Sequence, residues 1–202
     1  MKFPLIKKTT VFERAFILIA LVVFGMIIGS VLGLAFPLIS GCNPTDLNSL
    51  RFIQISSQIF TFVLPPFIYV ILTKEKPIES LGIKKTSLLW ILIGLALMYA
   101  IMPLNSIFTE WNAGLKFPES LKGLEEILKS TQEAATKLME KMVNVNTIGG
   151  LLLNLFMIAG LAALGEELLF RSIIQTSLIK ICKNVHIGII IASAIFSFIH
   201  FE

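Results

Sequence analysis

Apolar residues collect into five long runs divided by polar stretches, and runs of this length predict membrane helices. The first covers residues 15–39, where Gly25, Gly29 and Gly33 recur every fourth position. That spacing lays a smooth stripe along one helix face, against which a second helix can pack closely. The second run, 52–72, contains Pro65 and Pro66, which should kink it where neighbours can satisfy the freed carbonyls. The third, 87–108, has Trp90 near one end and Trp111 just past the other, as interfacial anchors sit. The fourth covers 148–181. The fifth starts at 187 and is still apolar when the sequence stops at Glu202.

Between the third and fourth runs the period changes. Over 118–143, Leu121, Leu124, Leu128, Ala135, Leu138 and Met142 form a heptad-like stripe, with Lys and Glu on the opposite face. This predicts an amphipathic helix packed on loops or lying in the headgroup layer. A coiled-coil seam is the sharper alternative, but Thr131 interrupts it. The pattern as a whole predicts an all-α, polytopic transmembrane bundle, a single membrane domain over 1–202, with one extramembrane amphipathic helix.

Composition supports lipid as the solvent. The chain is 55% hydrophobic and 15% charged, where a soluble domain carries roughly 25% charged residues. The formal charge of +4 is too small and too dispersed to suggest a nucleic-acid partner, which leaves membrane lipid as the evident one. Lys2, Lys7 and Lys8 precede the first run as in a signal peptide, but the run exceeds the roughly 7–15 residues of a signal core. It is expected to be a retained helix.

Lysine and arginine predict the orientation. They mark the N-terminus (Lys2, Lys7, Lys8, Arg14), the second loop (Lys74, Lys76, Lys84, Lys85) and the fourth (Lys180, Lys183), whereas the first loop has only Arg51. These three segments should be cytoplasmic, in a multi-pass protein of the plasma membrane. Cys42 and Cys182 then lie on opposite sides and cannot form a disulfide. The fifth run is short. Residues 187–201 give about 22 Å of helix against a hydrocarbon core of roughly 30 Å. A helix ending there would leave carbonyls and a carboxylate in lipid, so the sequence is expected to be a piece of a longer protein.

Chemistry enters at Glu166, Glu167 and Arg171 inside the fourth run. Each charge at a bilayer centre costs about 2.5–3.5 kcal/mol, so these side chains should face a protein interior or a wet cavity. Glu167 and Arg171 are one turn apart and can pair, with Gln175 a turn further on. Glu166 points about 100° away, so the spacing does not force it into that pair and it can serve as a general base. In the fifth run, Ser193, Phe196, Ser197 and His200 share a face, expected to be buried against another helix. His186 falls in the loop, as a solvated histidine would. Counted from Asn184 in that loop, Glu166 lies 18 residues back and His200 16 residues on. At 1.5 Å per residue their heights differ by only about 3 Å, so carboxylate and imidazole should share one depth on adjacent helices.

The ordered motifs Glu-Glu-x-x-x-Arg (Glu166, Glu167, Arg171) and Phe-x-x-x-His (Phe196, His200) resemble the CAAX-protease and bacteriocin-processing family of intramembrane proteases. The resemblance covers 159–201, and the earlier helices only in hydropathy. It implies an endopeptidase acting on a peptide or protein substrate in the cytoplasmic half of the membrane. Glu166 would activate the attacking water, and His200 would share the site as co-catalyst or metal ligand. Glu167 and Arg171 would hold the site in order. The family's later helix, with a second His and an Asn or Asp one turn on, has no counterpart in this sequence. Zn2+ could be held by Glu166 and His200, although a catalytic zinc site usually takes three protein ligands. A glutamate-activated water without metal is equally compatible. Two rivals stay open: a non-catalytic membrane protein of immunity or chaperone type, and a proton-coupled transporter using Glu166 and His200 as a relay.

Overall fold

A computed structural model describes residues 10–73, 80–114 and 118–199. Lys2, Lys7, Lys8, Lys74, Lys76 and His200 lie outside the described residues. Among the described residues there is no strand. The helices are α1 (Val11–Ser40), α2 (Leu47–Leu72), α3 (Leu88–Ala113), α4 (Lys122–Val143), α5 (Ile148–Cys182) and α6 (Val185–Ile199). Among those residues α1, α2, α3 and α5 are each long and apolar enough to cross a membrane. The protein is an all-α membrane bundle. Helices α1, α2, α5 and α6, with the end of α4, form one compact unit; α3 and most of α4 form another.

Helix α1 starts four residues before the apolar run does. Thr10 accepts a hydrogen bond on its side chain from the Glu13 amide (3.3 Å), and Glu13 accepts one from the Thr10 amide (2.7 Å). This reciprocal cap satisfies two amides that a helix start leaves without partners. The helix stops at Gly41, whose φ of 68° suits the residue without a side chain.

The glycine stripe of α1 is the face that meets α2. A Cβ on Gly25 would sit 1.9 Å from the Phe60 carbonyl oxygen, and one on Gly29 would sit 3.1 Å from the Ser56 carbonyl oxygen. The Ser56 hydroxyl donates to the Gly29 carbonyl (3.2 Å), so the two backbones are also tied across the contact. Further out, Phe36 and Phe52 stack with centroids 4.4 Å apart.

Where Pro65 and Pro66 predict a kink, α2 is widened just before them. Proline has no amide proton for the α-helical ladder. The turn before the prolines, Ile59–Val63, is π-helical, and the Leu64 amide reaches back five residues to the Ile59 carbonyl. Helix α5 carries two π-helical stretches of its own, Leu155–Leu161 and Glu167–Gln175.

The core brings together Leu18 of α1, Tyr69 and Val70 of α2, Leu81 of the segment after α2, and Leu168, Leu169, Phe170 and Ile173 of α5. These last four belong to the stretch that carries the polar motif. In the other unit, α4 is amphipathic, with Lys129 paired to Glu125 across one turn at 2.6 Å. Its final turn, in the first unit, buries Met142.

Candidate active site

Helix α5 holds Glu166 at the end of a regular α-helical turn and Glu167 at the start of a π-helical one. Leu168, Leu169 and Phe170 are three consecutive buried residues, so this turn is enclosed on most of its circumference. Gly165 permits the enclosure. A Cβ there would lie 2.7 Å from the Phe62 Cβ, so the backbone beside Glu166 rests directly on the widened turn of α2.

The one-turn pair forms. Arg171 Nη1 lies 3.0 Å from Glu167 Oε2. Its setting differs from the expectation of an interior pair, because the Arg171 and Glu167 side chains are 71% and 53% exposed. The reason is steric: Leu168, Leu169, Phe170 and Ile173 take the inward directions of this turn, leaving only the outward ones to the charges. Glu166 is half-buried, as is Gln175.

A second anchor was not evident from the sequence. The Ser172 hydroxyl donates to the Leu81 carbonyl at 2.8 Å. Leu81 is buried in the same core as Leu168 and Leu169, and Gly82 turns the chain with a φ of 68°. The segment after α2 is thereby fastened to α5 one residue beyond Arg171. A Ser-Leu-Gly sequence between two helices and a serine next to Arg171 are its only traces in the sequence.

Helix α6 folds back on α5 through a short turn. Lys183 ends α5 in the left-handed region at φ 52°, and the Asn184 side-chain oxygen accepts from the amides of His186 (2.9 Å) and Ile187 (3.2 Å). His186 is exposed. A Cβ on Gly188 would stand 2.7 Å from the Ile179 amide nitrogen, so the two helices touch backbone to backbone near the turn. Two turns later the rings of Phe170 and Phe196 meet edge to face, with centroids 5.0 Å apart and planes at 88°. The face of α6 that meets α5 is therefore Gly188, Ala192 and Phe196. Ser193 and Ser197 are exposed, contrary to the expectation of a buried serine strip. Gly188 and Ala192 are small enough to take the close positions, which turns the serines away.

Phe170 follows Glu166 by four residues, and Phe196 precedes residue 200 by four. Among the described residues no three His, Cys, Asp or Glu side chains come together as metal ligands. Glu166 and His200 alone fall short of the three protein ligands usual in a catalytic zinc site.

No curated protein matches the chain, and no solved structure does. Residues 148–202, which span α5, α6 and both sequence motifs, match the family model described as Rce1-like, Type II CAAX prenyl endopeptidase Rce1-like.

Proposed function

We propose that the protein is an intramembrane endopeptidase in which Glu166 activates water for attack on a peptide bond. The observation that carries this reading is the Phe170–Phe196 contact. It sets the register of the α5–α6 hairpin at a level one turn closer to the connection than Glu166. In the sequence His200 follows Phe196 by the same four residues that separate Phe170 from Glu166, the spacing by which a carboxylate and an imidazole on antiparallel helices share a depth. The match of this same hairpin to a CAAX endopeptidase family supports the choice of reaction.

In the reaction, the Glu166 carboxylate takes a proton from water as the oxygen attacks the peptide carbonyl carbon. The resulting tetrahedral oxyanion is stabilised by a hydrogen bond from His200 until it collapses. Collapse breaks the C–N bond, and the proton held by Glu166 passes to the leaving amine. The Glu167–Arg171 pair braces the turn that presents Glu166. The substrate is a peptide or protein segment reaching the cytoplasmic half of the bilayer, with a prenylated C-terminal peptide as the first candidate. The protein then sits in the plasma membrane with its N-terminus inside.

The test is hydrolysis of a farnesylated C-terminal peptide and an unmodified control by the full chain in lipid bilayers. Glu166→Gln keeps size and hydrogen-bonding atoms but cannot take the proton, so turnover should vanish with the melting temperature unchanged. Full activity in that variant would remove Glu166 from the mechanism.

A further inference from the structure

We propose that the seam between α2 and α5 is a water-binding track, running from the Arg51–Asn154 pair to Glu166 and supplying the water consumed there. This rests on the reading of Glu166 as the base. The two helices run parallel in a fixed register. Arg51 Nη2 donates to Asn154 Oδ1 at 3.2 Å, and Phe62 packs against Gly165, with 103 positions separating the partners in both pairs. Gln58 lies seven residues after Arg51 and four before Phe62, so helical phase puts it on the same α5-facing side of α2. Thr61 is the neighbour of Phe62, one turn beyond Gln58.

Three polar atoms of α2 along this seam lack protein partners, and a fourth, Ser49 Oγ, lies seven residues before Ser56 on the side toward α1. Ser49 Oγ, Arg51 Nε, Gln58 Oε1 and Thr61 Oγ1 are buried without a hydrogen bond, and Ser49 and Thr61 are only 0% and 5% exposed. Thr61 is informative by contrast. Thr73, Thr109, Thr131, Thr136 and Thr176 each donate to the carbonyl four residues back, the usual refuge of a helical hydroxyl. Thr61 sits in the π-helical turn Ile59–Val63 and makes no such bond. A buried polar group left in this state is costly, and three in succession on one seam are satisfied together by water with two to four polar neighbours.

The need for water is equally local. Glu166 stands near the middle of the 35-residue α5, and hydrocarbon supplies none of the water that each hydrolysis consumes. From Asn154 to Glu166 is about 18 Å along a regular helix, with Gln58 and Thr61 as stations between. The outer mouth is held by Asn154, whose amide also donates to the Met142 carbonyl and so cannot swing away from Arg51.

Water-edited solid-state NMR of the full chain in phosphatidylcholine bilayers tests this without any activity. Magnetisation from water should reach the Gln58 and Thr61 side chains as fast as it reaches Arg51, and should not reach Leu18 or Val70. Thr61→Val, which puts a methyl group in place of the hydroxyl, should slow peptide hydrolysis about tenfold at constant KM. Thr61→Ser should keep the rate, which separates loss of water from loss of fold. Gln58 and Thr61 as dry as Val70 would overturn the track, and so would a Thr61→Val variant with full turnover. Wet side chains together with an active Glu166→Gln variant would leave the track standing and remove the base.

Discussion

The edge of one phenylalanine ring meets the face of the other where Phe196 of α6 crosses Phe170 of α5, and this contact locks the hairpin register. Beyond its buried area, an edge-to-face pair contributes about 0.5–1.5 kcal/mol. A double-mutant cycle of Phe170→Leu and Phe196→Leu in bilayers should return a coupling energy in that range. Phe196→Leu alone should reduce hydrolysis more than it reduces stability, because it loosens the level at which the second motif is held. Equal losses in activity and folded fraction would show that the contact only stabilises.

Removing the partner of Arg171 should be mild. The Glu167–Arg171 pair is more exposed than buried, and exposed ion pairs contribute about 0–1 kcal/mol. Glu167→Gln should therefore shift the unfolding free energy by less than about 1 kcal/mol. A loss of roughly 3–5 kcal/mol, typical of a broken buried pair, would mean that another part of the assembled protein covers this face. A stable but inactive Glu167→Gln variant would move the base from Glu166 to Glu167.

The two glycines Gly25 and Gly94 should respond oppositely to alanine. A methyl group on Gly25 meets the Phe60 carbonyl oxygen at 1.9 Å, so α1 and α2 must part. The expected loss is about 1–3 kcal/mol, as for overpacked interiors. Nothing stands within 4 Å of a Cβ on Gly94, and alanine there should gain up to about 1 kcal/mol in helix propensity. Thermal unfolding in the same detergent compares them directly.

Orientation has its own test. With Cys42 and Cys182 replaced by serine, Asn48→Cys should react with an impermeant maleimide added from outside, and Lys180→Cys only after permeabilisation. Labelling of Asn48→Cys from the cytoplasmic side alone would invert the topology.

The parts of the fold visible in the sequence are those decided by periodicity. The long apolar runs became helices, and the Gly25–Gly29–Gly33 stripe and the one-turn spacing of Glu167 and Arg171 became contacts. Helix α1 begins before its apolar run because Thr10 and Glu13 cap it, a local pattern that hydropathy does not register. What escaped depended on partners distant in the chain. Which face of α6 is buried follows from where Gly188 can touch Ile179, and the Leu81 anchor exists only because Ser172 is presented to it. The widened turn of α2 was half legible in Pro65 and Pro66; those of α5 had no such marker. His200 is the one candidate catalytic residue outside the described residues.

The π-helical turn from Glu167 to Gln175 has a consequence for how the motif can change. A turn closed by bonds five residues apart has one residue more than an α-helix needs. Deleting that surplus residue lets the ladder close again as an α-helix with its neighbours still bonded. Because the widened turns have already absorbed that residue's rotation, the helix on either side keeps nearly the same azimuth after the deletion. Arg171 stands inside this stretch and Glu166 just before it. A residue can therefore be lost from the motif's own turn without unravelling or re-aiming the rest of the span.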